Sequence, residues 1–481
     1  TWLNNATTAT GFYLYRVLNG GTLQPVSTLG ANITTYSEVI SSATVYTYAI
    51  QAFNASGVVG DLNYVTSPKL GNTLADRQKM VLDYLQAVSP NLTQTGAGPN
   101  RIGRSGFWFG EGRLQRGDTT NGLNFIATAL EDADAEGTNA GFSLWPGMDA
   151  YLRWSHLFSP TLKSRYQTIY TSATLYTGSA MPNQKFMTCT GSYLANTVWG
   201  SAVNSVSGAG YATLNLFGQR DDTSLVDVSG KTYLKNEIER ITRRGFQEDD
   251  SNLYNHFTLA PLRSLAEFAT DLSLKNKAQM TFDYGMAIAA TGWLNGRNCI
   301  TSSRIGVTAQ QNSYDATPRT YWLPFGGVTP NSQNGAEAQT IFALPSFTGV
   351  IPEIAAAATD RTQSYTRRSI AQRNEQSGPQ VIYFKQSWMT PQYSLWSQAE
   401  GTVAYNSDAS FILNNMDAQA IHDGNQASRW ALAWDDPTGT DSTLHITAPT
   451  NYRGATNIGL SIYEDTLQRE DTMIAVYNIP L

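Results

Sequence analysis

Four stretches carry side chains suited to acid–base or anion-binding chemistry. In QEDDSNLYNHFTLAPLRSLAEF (247–268), Glu248, Asp249 and Asp250 lead into Asn252, Asn255 and His256 before an apolar helical pattern begins. Asn252, His256 and Arg263 are spaced by four and then seven, so on one continuous helix they share a face. Pro261 has no amide hydrogen and suits a first helical turn, so the helix can instead begin there, with Asn255 and His256 in the preceding loop. The plain alternative is a buried core histidine with Asp249 or Asp250 as a helix cap.

The stretch 292–327 holds Arg297, Arg304, Tyr314, Arg319 and Tyr321. Arginines near a helix end can simply cap it. They also clamp carboxylates, and a neighbouring cation favours tyrosinate, making a base of a phenol. MTCTGSYLANTVWG (187–200) offers Asn196, whose amide can donate to a carboxylate without adding charge. GRSGFWFGEGRLQRGDTTNG (103–122) brings Arg104, Trp108 and Arg113 together and is expected to be a loop lining an anionic glycan groove. Trp145, Tyr151 and Trp154 add ring-stacking surface or pack as core at helical spacing.

Other chemistries lack their residues. The four histidines, His156, His256, His422 and His445, form no HxxxH pair, and neither CxxC nor a phosphate-cradling glycine motif occurs. A GxSxG nucleophile motif is missing as well. No cofactor is expected, while a structural calcium site built from Asp and carbonyl groups stays open. Net charge is −6 with no Lys/Arg-rich run, which argues against nucleic acid. No apolar stretch is long enough to span a bilayer. Cys189 and Cys299 can form one bridge or remain buried thiols.

The elements that must position these residues fall into three textures. At 481 residues, two or three domains are expected. GFYLYRV, TTYSEVI and TVYTYAIQAF read as strands in a module over 1–68. From Leu74 the apolar period becomes helical, with Met80, Leu82, Tyr84 and Leu85 of LADRQKMVLDYLQAV at mostly helical spacing. Helices joined by long loops, such as 95–121 and 200–230, continue through 72–328 and suggest an α/α toroid. QVIYFKQS, YSLWSQ, RWALAWDD, STLHITAP and TMIAVYNIP then read as strands of an antiparallel β domain over 329–481.

The first segment resembles a fibronectin type III module in its ATGFYLYR and SATVYTYAIQAFNASG strands. Residues 74–481 resemble the toroid-fold polysaccharide lyases, closest to those acting on alginate and glucuronan. The resemblance rests on YLANTVWG, LYNHF and GRNCITSSR, whose Gly-Arg and Ser-Arg stand further apart than in that family. It implies Asn196, His256, Arg304 and a tyrosine as the catalytic set. With no tyrosine soon after His256, Tyr314, 58 residues on, is the expected base, with Tyr321 and Tyr254 in reserve. Arg104, Trp108, Arg113, Trp145, Asn255, Arg319, Tyr321 and Asp249 are the expected substrate-binding residues.

The implied reaction is β-elimination on a 4-linked uronic-acid polymer by a monomer that is secreted or periplasmic. The opening TWLNN, without an initiator Met or leader, reads as a processed piece. Two alternatives stand beside it. An α/α-barrel glycoside hydrolase would need two carboxylates, and Glu111, Asp149, Glu248, Asp249 and Asp250 are available. A non-catalytic glycan-binding protein would use the aromatic stretches alone.

Overall fold

The computed structural model describes residues 9–18, 24–37, 46–57, 59–65, 73–87, 102–135, 141–171, 182–200, 212–214, 220–222, 230–246, 255–299, 316–327, 336–359, 363–373, 381–402, 430–434, 443–445 and 464–477. Small antiparallel sheets at both ends of the chain flank a large helical region.

The first sheet has the order β2-β1-β3-β4, from β1 (Gly11–Leu18), β2 (Gln24–Gly30), β3 (Tyr46–Phe53) and β4 (Val59–Val65). The pleat sends Phe12 and Leu14 to one face, where they are buried. Tyr13 points the other way and stacks on Phe53 at 4.4 Å between centroids. In TTYSEVI (34–40) residues 34–37 are not strand, and 38–40 lie outside the described residues. The strand is Gln24–Gly30, paired along β1 and ended by a turn in which the Ile33 amide donates to the Gly30 carbonyl at 3.0 Å.

The helical region comprises α1 (Leu74–Ala87), α2 (Ile102–Gln115), α3 (Thr119–Ala135), α4 (Gly141–Trp154), α5 (Pro160–Tyr170), α6 (Pro182–Trp199), α7 (Lys231–Arg244), α8 (His256–Phe268), α9 (Leu272–Thr291) and α10 (Ala316–Phe325). Two short helices follow, α11 (Thr340–Ala343) and α12 (Pro352–Thr359). A two-stranded ribbon, β5 (Ala212–Leu214) with β6 (Arg220–Asp222), lies between α6 and α7. Contacts run between alternate helices: α2 packs on α4, α4 on α6, and α6 on α8. The helices between them lie against this row, α3 on α2, α7 on α6 and α9 on α8. Helix α8 is buried at every position from His256 to Ala266, as expected of a helix enclosed by others. On α1 the inward face is Arg77, Val81, Leu82 and Leu85, whereas Met80 is exposed. The Arg77 stem reaches inward because its guanidinium donates to the Leu323 and Pro324 carbonyls, at 2.6 and 3.2 Å.

Two expectations need correction. Residues 103–122 are not a groove loop: they form α2 and the start of α3, with Phe107, Trp108 and Phe109 buried. Their glycines are sites of close helix packing rather than turn formers. A Cβ on Gly110 would stand 2.5 Å from the Ile126 side chain and 2.9 Å from the Gly122 carbonyl, and one on Gly112 would stand 2.5 Å from Leu85. Gly110→Ala is expected to cost about 1–3 kcal/mol by overpacking, read as a lower midpoint in urea unfolding. Pro261, in turn, does not begin its helix. It lies inside α8, which starts at His256, and the burial of α8 on all sides outweighs the backbone hydrogen bond that proline forfeits.

After α9 the chain reverses in a hairpin, β7 (Trp293–Leu294) with β8 (Arg297–Asn298). Asn295 and Gly296 both have positive φ, 43° and 105°, the pair of conformations a two-residue hairpin turn requires. The last helix ends at Thr359, and the strands begin at Tyr365, later in the chain than the change of texture near residue 325 suggests. Strands β9 (Tyr365–Arg373), β10 (Val381–Met389), β11 (Tyr393–Thr402), β12 (Trp430–Trp434) and β13 (Thr443–His445) form one antiparallel sheet in the order β13-β12-β11-β10-β9. The hairpin β14 (Glu464–Arg469) with β15 (Thr472–Tyr477) packs beside β11. This sheet is tied to the helices through α9 and its hairpin. Tyr365 donates to the Thr291 carbonyl at 2.8 Å, Arg367 to the Thr291 hydroxyl at 3.0 Å, and Arg297 to the Trp434 carbonyl at 2.8 Å. Cys189 and Cys299 are separate buried thiols.

Candidate functional site

His256 is the first residue of α8, and Asn255 occupies the cap position before it. The pair is placed by α10. The His256 amide donates to the Thr317 hydroxyl at 3.0 Å, and Nδ1 of the ring lies 2.8 Å from the Thr320 hydroxyl. Threonines three apart on one helix face thus hold both the backbone and the ring. Aromatic rings enclose the imidazole: Phe257 at 5.1 Å, Trp108 at 6.1 Å and Phe342 at 6.2 Å between centroids. His256 has no exposed surface, and burial pushes its pKa down to about 3, so the ring is neutral near pH 7.

Three buried polar atoms at this corner have no protein partner: His256 Nε2, Asn255 Oδ1 and Trp108 Nε1. Asn255 makes no capping hydrogen bond with its side chain. Buried polar groups are nearly always paired, so unpartnered atoms on His256, on its neighbour Asn255 and on Trp108, whose ring lies 6.1 Å from the imidazole, are exceptions to that rule. The indole nitrogen is a donor only.

The other expected residues are distributed differently. Trp145, on α4, packs against Trp108 at 5.9 Å but is fully buried, and its indole N–H donates to Ser264 at 2.8 Å. It is therefore a core residue rather than an open stacking face. Arg113, at the end of α2, is buried, pairs with Asp118 at 2.9 Å and covers the Phe125 ring at 5.2 Å. Tyr321 and Arg319 are buried on α10, with Tyr321 6.2 Å from the Trp293 ring. Asn196 is half-buried on α6, a helix that packs against α8. Arg104 lies on α2. Tyr314, Arg304, Asp249, Glu248, Asp250 and Tyr254 lie outside the described residues. The structure thus brings Trp108, Trp145, Asn255 and His256 together. Thr317 and Thr320 join them, although the sequence reading passed over both.

A second polar cluster lies within the same helices. Arg153 pairs with Asp149 at 2.5 Å and with both oxygens of Glu267, one of them at 2.7 Å, while Glu111 lies 3.8 Å from its Nε. Arg263 joins Glu267 at 2.9 Å and donates to the Ser346 carbonyl at 2.8 Å. Asp149 also accepts from Ser264 at 2.5 Å, linking the network to Trp145. Three carboxylates thus face two guanidinium groups. Burial, followed by the Asp149 charge, pushes the Glu111 carboxyl well above the ordinary range. A protonated Glu111 leaves two charges of each sign. Its signal in the sequence is the i,i+4 spacing of Asp149 with Arg153 and of Arg263 with Glu267.

The sign of the Glu111 effect follows from linkage. A raised folded-state pKa gives stability that is fully present below the unfolded value, near 4.3, and is lost as pH rises through the folded value. Glu111→Gln keeps the shape and removes the titration. Its melting temperature relative to wild type is expected to climb with pH from acid to alkaline buffers. A difference that does not vary with pH would contradict this reading of Glu111.

Among the described residues, no group of three or more His, Cys, Asp or Glu is placed to hold a metal ion, and no helix is long and apolar enough to cross a membrane. No protein-family model matches the sequence, and no curated protein matches it either.

Proposed function

We propose that the chain is a polysaccharide lyase that cleaves 4-linked uronic-acid glycans of the alginate or glucuronan type by β-elimination. Its helical region is read as an α/α toroid and its first sheet as a fibronectin type III-like module. The carrying observation is His256 beside Trp108, a neutral imidazole whose Nε2 is buried without a protein partner next to an indole whose Nε1 is likewise unpartnered. The succession α2–α4–α6–α8, with intervening helices against it, is the packing a toroid needs.

In this mechanism the uronate C6 carboxylate takes hydrogen bonds from His256 Nε2–H and from the side-chain amide of Asn255, with Asn196 and Arg304 as further donors. These bonds strengthen as the C5–H bond breaks and charge builds on the carboxylate. Tyr314, as tyrosinate, takes the C5 proton. The electron pair left at C5 forms the C4–C5 double bond, the bond from C4 to the glycosidic oxygen breaks, and that oxygen receives the proton from the same tyrosine. Because Asn255 and His256 are both buried, the mechanism requires substrate binding to uncover them.

The hydrolase alternative is less well supported. Two of its candidate acids, Glu111 and Asp149, are fully buried; Asp149 is held by Arg153 and Ser264, whereas Glu111 lies 3.8 Å from Arg153 with Oε1 unpartnered. Incubation with a panel of uronic-acid polymers separates the readings, since elimination leaves an ultraviolet-absorbing unsaturated end at each cut and hydrolysis does not.

A further inference from the structure

We propose that Thr320 is a positioning residue that fixes which nitrogen of His256 carries the proton: its hydroxyl donates to Nδ1 and leaves Nε2–H as a hydrogen-bond donor. This deepens the lyase reading above and rests on it for the direction of the bond. Four observations carry the contact between Thr320 and the ring. The Nδ1 to Thr320 hydroxyl distance is 2.8 Å, so the two atoms share one hydrogen. The ring has no exposed surface, so no bulk water competes for Nδ1. The backbone of His256 is separately held by Thr317, so α10 fixes both the start of α8 and the ring that projects from it. Finally, Trp108, Phe257 and Phe342 pack round the imidazole at steep interplanar angles of 77°, 77° and 67°, which opposes a ring flip that would turn Nδ1 away from Thr320.

A neutral imidazole carries one proton, and the partner of one nitrogen decides the character of the other. If Nδ1 donated to Thr320, Nε2 would present a lone pair, and a carboxylate would be repelled. If Thr320 donates, Nε2–H becomes a second unpartnered donor beside the Trp108 indole N–H. An Nε2–H donor, like the indole N–H, suits an anionic group such as a uronate carboxylate. Thr320 thus touches no substrate. It selects the form of His256 that does.

The test uses full-length protein containing isotope-labelled histidine and long-range proton–nitrogen correlation spectra near neutral pH. The four histidines give few signals, and His256 is assigned by its loss in His256→Gln. The expected wild-type pattern is a single neutral Nε2–H form. In Thr320→Val, which keeps the shape without the hydroxyl, that pattern is expected to become a mixture. On uronan substrates kcat is expected to fall about tenfold or more with KM little changed, by analogy with other partners that orient a functional histidine. Thr320→Ser restores both readouts. An Nδ1–H form in the wild type, or a pattern unmoved in Thr320→Val, overturns the proposal. The wild-type spectrum decides the matter even if Thr320→Val fails to fold. A locked Nε2–H ring, released in Thr320→Val, in a protein that cuts no uronan supports the positioning role and removes the lyase reading. Uronan cleavage by a protein whose ring is Nδ1–H does the reverse.

Discussion

Arg153→Met is expected to lower the unfolding free energy by about 3–5 kcal/mol, because it removes the shared cation of a buried network and leaves its anions uncompensated. Asp149 is fully buried, and Arg153 itself is nearly so. Burial alone would weaken the charge on the guanidinium. Asp149 and Glu267 reverse that tendency and hold it charged. Domain stabilities are only about 5–15 kcal/mol, so this loss removes a large share of the margin and lowers the melting temperature. Chemical denaturation of wild type and variant checks this. A loss of only a few tenths of a kcal/mol would show that Arg153 is a dispensable surface-type pair. The network also joins α4 to α8 and to the Ser346 segment, so its loss should loosen α8, the helix that begins with His256.

His256→Gln is expected to reduce cleavage of a uronan by about 100- to 1000-fold, the range found when one preorganised donor to a developing negative charge is removed. Stability provides an independent readout. The folded-state pKa of His256 is depressed to about 3, below the unfolded value near 6.5. The unfolded chain therefore binds a proton that the native ring refuses, and stability falls as pH drops from about 6.5 towards 3. Glutamine does not titrate, so the melting temperature of the variant should decline less over that window. Parallel acid profiles for the two proteins would show that His256 protonates freely in the folded state. The two readouts are separable. A flattened acid profile with full activity would leave the histidine buried and remove it from the chemistry.

Much of the helical order was legible in the sequence because the apolar period of 3.6 survives in α1, α5, α7 and α9, which bury one face each. The misreadings share a cause. In α2 the run Gly103, Gly106, Gly110 and Gly112 resembles a loop, since glycine usually signals backbone freedom. Here Gly110 and Gly112 instead permit helices to touch, a property that depends on Ile126, Gly122 and Leu85, which lie on other helices. In α8, Pro261 resembles a start signal, yet an enclosed helix tolerates it. Of the strand expected at TTYSEVI, residues 34–37 are not strand and 38–40 lie outside the described residues, while Gln24–Gly30 pairs with β1. At the site, His256 stood out by chemistry alone. Thr317 and Thr320 did not, since a threonine pair becomes informative only when a tertiary contact places it against an imidazole. The arginine network was half visible as i,i+4 pairs, whereas the joining of α4 to α8 needed the fold.

The most direct test of the proposed chemistry is the ratio of unsaturated ends to new chain ends during digestion of alginate and glucuronan. Elimination produces one unsaturated, ultraviolet-absorbing end for every bond cut, so the account predicts that absorbance and reducing ends rise together in a one-to-one ratio. Reducing ends that appear without absorbance would identify a hydrolase. Uronans that are bound and recovered intact would identify a binding protein, and either result would contradict the lyase reading.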